Sequence, residues 1–548
     1  MRWLSIGLVP ALLLTAGASP TDRADPGAMS DTAKVLASDA FEGRSPGTAG
    51  EQRTLEYLVA RFKALGLAPG GPDGAWLQKV PMIHTRLGTG TIGFSDTAGK
   101  SVSFDPAKEI NLTTVRADPR IAIAGAPMVF VGYGVSAPEA KWDDFKDVDL
   151  RGKVAVFLVN DPDFEAVAGE DAFGRFGGRR MTYYGRWTYK FDEAARRGAV
   201  AALIIHDTGG AGYGWSTVSA SNGENYDIVR DAGDRRVPLQ GWIEHDAADR
   251  LFKAAGLDLA ALRVKARSAA FQPVAMPLRF SADLPVAVAR IESANVLAKL
   301  PGTSRASETV MFGAHWDAYG RGPADAQGRT IRPGANDDGL GVAGVLELAR
   351  LFKAGPRTDR SLVFALWTGE ERGLLGSEYY ATHPVYPLAT TAANLTMDIL
   401  QTAGPAKDVI LVGAGNSTLD QDLADAARAQ GRTITAETFS ERGLFYRADH
   451  FSVVRRGVPS LLLMALGGPP DLVSGGKAAG QRWLDAYMAC YHKTCDAWDA
   501  TWDLRGAAAD VDLFHAMGLR LARAGVWPTW SATSEFLALR RKTDAERR

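Results

Sequence analysis

Cysteine is nearly absent from this 548-residue chain, with only Cys490 and Cys495 present, so no disulfide framework builds the fold. Net charge is also missing: the formal value is -1, which gives no electrostatic reason to expect nucleic acid or acidic lipid as a partner. The body carries no Lys/Arg run. The basic end, Arg540, Arg541, Lys542, Arg547 and Arg548, is interspersed with acids and reads as a solvated tail. No apolar run reaches the ~20 residues that a membrane span needs, so stable membrane insertion is not expected. No Gly-x-Ser-x-Gly elbow and no His-Glu-x-x-His helix occurs, which leaves serine hydrolysis and the single-helix zinc proteases unsupported. There is no internal repeat and no extended low-complexity tract.

What is present begins at the N-terminus. Arg2, an apolar stretch from Trp3 to Leu14 and then Ala16-Gly17-Ala18 have the layout of a secretory signal, expected over residues 1–18. The mature protein is therefore expected in the periplasm or secreted. In that oxidising setting, Cys490 and Cys495, with four residues between them, are expected to join. The length calls for two domains, or one domain with a large insertion. Residues 30–70 carry Leu55, Leu58, Phe62 and Leu65 at helical spacing. From about 125 to 275, short β-type runs such as Val154–Val159 and Val200–Ile205 suggest a separate, mostly β module. Later, strand candidates (Val310–Gly313, Leu362–Leu366, Leu395–Met397, Val409–Val412, Ser460–Met464) alternate with helix candidates (Gly341–Lys353, Leu419–Ala429). That alternation predicts an α/β fold with a doubly wound, largely parallel mixed sheet. The expected division is 29–124 as the front of the main domain, 125–275 as the insert, 276–530 as the main domain and 531–548 as the tail.

The chemistry-bearing residues cluster at predicted strand ends, where open α/β sheets bind ligands. His315-Trp316-Asp317 follows the first strand; two residues apart on extended chain, His315 and Asp317 point the same way. Asp337 lies in Gly334-Ala335-Asn336-Asp337-Asp338-Gly339 before a helix, Glu370 and Glu371 in Thr368-Gly369-Glu370-Glu371-Arg372-Gly373, and Asp398 after Leu395-Thr396-Met397. His492 comes late, between the two cysteines. Two histidines with several carboxylates suit zinc, or less selectively another divalent metal. Two Zn²⁺, three carboxylates and a bridging hydroxide would be neutral, which leaves Glu370 free to carry a proton.

In this order the motifs His315–Asp317, Gly334–Gly341, Gly369–Ser377, Asp449-His450 and Tyr491-His492 resemble the co-catalytic dinuclear zinc aminopeptidases. That group includes the glutamate carboxypeptidase and transferrin receptor branch. Phe41-Glu42-Gly43-Arg44-Ser45-Pro46-Gly47-Thr48 is similar as well. Gly132-Tyr133-Gly134, Gly152-Lys153-Val154 and Gly198–Ile205 resemble the protease-associated domain often inserted in such enzymes. The resemblance implies a zinc exopeptidase fold acting on peptide N-termini with two zinc ions. His315, Asp337 and Asp398 would hold one ion, and Asp337, Glu371 and His492 the other. It further implies Asp317 behind His315, Glu370 as general base for a metal-activated water, Tyr446 as oxyanion donor and His450 lining the substrate site. Asp338, Leu340 and Ala448 depart from the common pattern without removing a presumed ligand. Three alternatives stay open: a single-zinc glutaminyl-cyclase-like transferase, a receptor-like binding protein, and a carboxypeptidase or dipeptidase. The last needs a cationic clamp, for which Arg186 and Lys190 are available.

Overall fold

A computed structural model describes residues 22–96, 99–106, 108–523, 525 and 527–547. The expected signal segment lies outside the described residues. Residues 30–70 form two helices, Pro26–Leu36 and Ala49–Ala64, separated by the Gly-rich stretch that contains Arg44. Asp25 caps the first, its side chain accepting from the Gly27 N–H at 2.8 Å.

The main sheet runs Ser460–Leu463, Thr391–Met397, Arg305–His315, Arg360–Trp367 and Val274–Leu300, the first four mutually parallel and the last antiparallel to its neighbour. Both faces of these strands are covered. Phe312 and Phe364 point into a core with Val345, Leu348, Phe514 and Met517 from helices Gly341–Ala354 and Arg505–Arg523. Met311, Val363 and Ala365 point the other way, against Tyr380 and Val453. Burial on two faces explains why these strands read as continuous apolar runs. The result is the expected doubly wound mixed α/β sheet. Because the four strands are parallel, His315, Trp367, Met397 and Leu463 all end at one edge. The site forms there.

The insert differs from expectation. Its sheet runs Arg120–Phe130, Val154–Leu158, Ala201–Ile205 and Leu239–Ile243 in parallel, then Ile110–Thr113 antiparallel. Val154, Val156 and Leu158 fill one apolar layer, and Ala155, Phe157 and Val159 the opposite one. Helices Trp187–Arg196 and His245–Ala254 cover these layers, so the unit is α/β and not mostly β. It also draws on chain before residue 125, through Thr91–Asp96 and Ile110–Thr113. At its other end, strand Val274–Leu300 pairs first with the insert sheet and then with the main sheet. The boundary at 275 therefore falls inside a single strand.

The C-terminal segment is a further correction. Arg540 is 3% exposed and donates to the Thr391 carbonyl at 3.1 Å, while Phe536 packs with Phe451 and Trp530. Segment 531–547 belongs to the main domain and is not a solvated tail.

Candidate active site

Turn geometry at the strand ends exposes the polar groups. Gly334 has φ +56°, and a Cβ there would collide with the Asp337 carbonyl and the Ala318 Cβ. Gly369, at φ +64°, similarly starts the turn that presents Glu370 and Glu371. At the edge of the sheet these turns converge with His315, Asp398 and His492.

The Asp337 carboxylate lies at the centre. Its Oδ1 is 3.1 Å from His315 Nε2, and its Oδ2 is 3.2 Å from His492 Nε2. Asp398 Oδ1 lies 3.9 Å from His315 Nε2, and Glu371 Oε2 lies 3.3 Å from His492 Nε2. Two triads result, His315–Asp337–Asp398 and Asp337–Glu371–His492, with the ligand atoms of each within 4.8 Å of one another. The Oδ1 of Asp398 and the Oδ2 of Asp337 are buried without a hydrogen-bond donor. Orphaned carboxylate oxygens that converge on imidazole nitrogens fit a pair of cations.

The electrostatics agree. Burial works against the Glu370 charge, and Asp398 and Asp449 add to the effect, so its proton affinity rises well above the usual range. Burial together with Asp337 pushes Asp398 up to about 8. Asp337 goes the opposite way: burial opposes its charge, but the neighbouring imidazoles of His315 and His492 outweigh it and hold the group low.

The supporting contacts refine the expected roles. His315 Nδ1 faces the Asp317 backbone carbonyl at 3.1 Å, with the Asp317 carboxylate farther off at 3.7 Å. That carboxylate instead accepts the Glu370 N–H at 3.0 Å, so Asp317 positions both His315 and the Glu370 turn. Asp338 has no place in the implied ligand sets. It accepts the His315 N–H at 3.2 Å and the Gly341 N–H at 2.9 Å, joining a strand end to a helix start. Asp496 takes the N–H groups of Asn336 and Asp337, both at 3.1 Å, and its carbonyl takes that of Ala335 at 3.0 Å. Fully buried Arg44 donates to the carbonyls of Leu36, Trp316, Pro333 and Gly334, clamping the turns on either side of His315 and Asp337. The Arg44 motif was visible in the sequence; its distant partners Trp316, Pro333 and Gly334 were not.

A cavity of about 460 Å³ opens over Asp337, Glu370, Glu371, Asp398 and His492. Its far wall comes from the insert, including Arg186, Phe191, Tyr226 and Arg230. Tyr446 lines it, but its hydroxyl donates to Glu535 at 3.0 Å, so its one proton is engaged away from any oxyanion. His450 does not line it: the ring is fully buried, edge-on to Phe445. Lys190 also turns away, its ammonium donating to the carbonyls of Tyr133, Asn160 and Tyr184. Cys490 and Cys495 are bonded with Cα atoms 5.2 Å apart, and between them His492 adopts φ +62° and rests against Tyr319 and Tyr491.

The family model of peptidase family M28 matches residues 295–514, the stretch that carries every residue of both triads. The match is confined to this segment of the chain. Among curated proteins, leupeptin-inactivating enzyme 1 of Streptomyces exfoliatus is 29% identical over 214 residues, 37% of this chain and 43% of that protein. Aminopeptidase Y of Saccharomyces cerevisiae is 28% identical over 203 residues, 35% of this chain and 33% of that protein. The chain thus aligns with less than half the length of either relative. Among solved structures, an aminopeptidase from Aneurinibacillus sp. strain AM-1 is 21% identical, with a TM-score of 0.49 over 92% of this chain and 96% of that one.

Proposed function

We propose that the protein is an exported zinc exopeptidase that removes residues from peptide N-termini. One observation carries the reading: the two oxygens of Asp337 each face a different histidine, and each histidine has a second carboxylate beside it. The M28 match and the aminopeptidase name of the yeast relative support the choice of reaction. His315, Asp337 and Asp398 would hold one zinc ion, and Asp337, Glu371 and His492 a second. Zinc held there supplies Lewis acidity, which makes water acidic enough to deprotonate near neutral pH and polarises a scissile carbonyl.

The protein's own groups do the rest. Glu370 lines the cavity without belonging to either triad, so its carboxylate is free to take a proton from the attacking water and return it to the leaving amine. Asp317 fixes the Glu370 turn through its N–H. Residues of the insert form one wall of the cavity over these groups. Metal analysis coupled to cleavage of free and N-acetylated peptides tests the proposal. Zinc approaching two per chain, with cleavage abolished by acetylation, is expected. Equal cleavage of the acetylated peptide would rule out an aminopeptidase.

A further inference from the structure

The two imidazoles of the acidic cluster are held in different ways. His315 faces Asp337 through Nε2, and its other ring nitrogen faces the Asp317 carbonyl at 3.1 Å. An imidazole that holds a metal is ordinarily fixed in this manner, by a carbonyl or carboxylate at its second nitrogen. His492 lacks such a partner. Its Nε2 faces Asp337 and Glu371, and among the described residues no protein group hydrogen-bonds its Nδ1. Its backbone also lies in the left-handed region, at φ +62°, which a residue with a side chain keeps only where its surroundings hold it. What the ring has instead is aromatic contact, with centroids 3.6 Å from Tyr491 and 4.5 Å from Tyr319.

Behind Tyr319 the contacts continue. The Arg372 guanidinium lies 5.3 Å from the Tyr319 ring centroid and 4.9 Å from that of Tyr226. Tyr226 is stacked on His84, with centroids 4.4 Å apart and planes at 11°. These two are cross-strand partners on Glu224–Ile228 and Leu77–Leu87, and the second strand also pairs with Val274–Leu300. The series therefore starts in a sheet and ends on a histidine of the acidic cluster, and Arg372 joins its halves. Other arginines of the cavity wall are paired with carboxylates: Arg230 with Asp227 at 2.6 Å, Arg236 with Asp192 at 2.5 Å and Arg455 with Glu378 at 2.8 Å. Among the described residues Arg372 forms no ion pair, so its flat face is committed to the two rings. A guanidinium suits that place, being planar, permanently charged and weakly hydrated.

We propose that Arg372 is a positioning residue for His492: it presses Tyr319 against the imidazole and so does for His492 what the Asp317 carbonyl does for His315. Its effect on zinc rests on the reading of His492 as a metal ligand. Arg372 follows Glu371 directly in the turn, so one short segment supplies a ligand for the second ion and steers the other. Tyr226 lies between the insert strands Ala201–Ile205 and Leu239–Ile243 in the chain. The insert thus supports the second metal position as well as walling the cavity.

The test compares wild type with Arg372→Ala, Tyr226→Ala and the double variant. Competition with a chromogenic chelator reads zinc affinity, and crystal structures of the metal-free proteins read the ring positions. Arg372→Ala is expected to weaken one of two zinc-binding steps by about ten- to a hundredfold and to leave the other unchanged. Tyr226→Ala, which leaves the turn sequence intact, should weaken the same step. The double variant should bind no more weakly than Arg372→Ala, as one series requires and two independent supports do not. In the metal-free Arg372→Ala crystal, Tyr319 and His492 should leave their wild-type positions while Glu371 keeps its own. Rings that stay in place overturn the proposal, as does a double variant whose losses add. Two zinc steps that Arg372→Ala leaves within about twofold of wild type overturn it as well. A wild type that takes up no zinc, with His492 displaced in the Arg372→Ala crystal, would uphold the positioning and sink the peptidase reading.

Discussion

Asp496→Asn isolates how the bridging carboxylate is held. Asp496 is 4% exposed and takes two consecutive amides, those of Asn336 and Asp337, one on each oxygen. Asparagine keeps the shape but offers one acceptor; its NH₂ must confront the other N–H. One charge-assisted hydrogen bond is lost, about 1.5–3 kcal/mol, and a buried amide is left without a partner. The Ala335 amide stays bound to the residue 496 carbonyl, so the turn loosens without unfolding. If that energy falls on the position of Asp337, zinc affinity drops about ten- to a hundredfold, since tenfold corresponds to about 1.4 kcal/mol. Competition against a chromogenic chelator measures this, with circular dichroism as the check on folding. A correctly folded variant whose zinc affinity lies within twofold of wild type would refute the reasoning.

Three further outcomes are expected. Glu370→Gln should retain bound zinc and lose roughly 10²–10⁴ in turnover; loss of metal with turnover intact would show Glu370 to be a ligand. Burial opposes the charge on Glu378, but Arg455, Arg456 and Arg230 outweigh it and depress its affinity for a proton. Its stabilisation is therefore complete above the unfolded value and fades as pH falls below about 4. Glu378→Gln should lose about 3–5 kcal/mol at pH 7 and progressively less in acid, as read by urea unfolding at several pH values. A loss that does not vary with pH would contradict the ion-pair account. Cys490→Ser/Cys495→Ser shortens no other loop and should cost only about 2 kcal/mol of stability, while weakening zinc binding by freeing His492. Unchanged zinc affinity would show that the loop holds His492 without the bond.

How much was legible in the sequence follows from how local each determinant is. Strands Arg305–His315, Arg360–Trp367 and Thr391–Met397 announced themselves as apolar runs, and helix Leu419–Ala429 matched its expected span. The turn residues after those strands carry the proposed metal ligands, and the family resemblance of their motifs singled out His315, Asp337, Glu371 and Asp398. His492 was singled out by the resemblance of Tyr491-His492, with Cys490 and Cys495 flanking it. All of these depend on a few neighbouring residues: strand alternation, a glycine at positive φ, a short cysteine loop.

Tertiary structure alone decided the rest. Nothing local distinguishes Arg186, which faces the cavity, from Lys190, which is turned into carbonyls of the insert one helical turn later. Tyr446 reached the cavity as expected, but Glu535, far along the chain, takes its proton. Arg44 and Asp496 support the turns around His315 and Asp337 across separations of 272 and 160 residues, which no periodicity encodes. The insert boundary failed for a similar reason, because strand Val274–Leu300 serves two sheets and its composition does not change where one pairing gives way to the next. Short-range geometry fixes which atoms a turn presents; which distant groups meet them is set only when the layers pack.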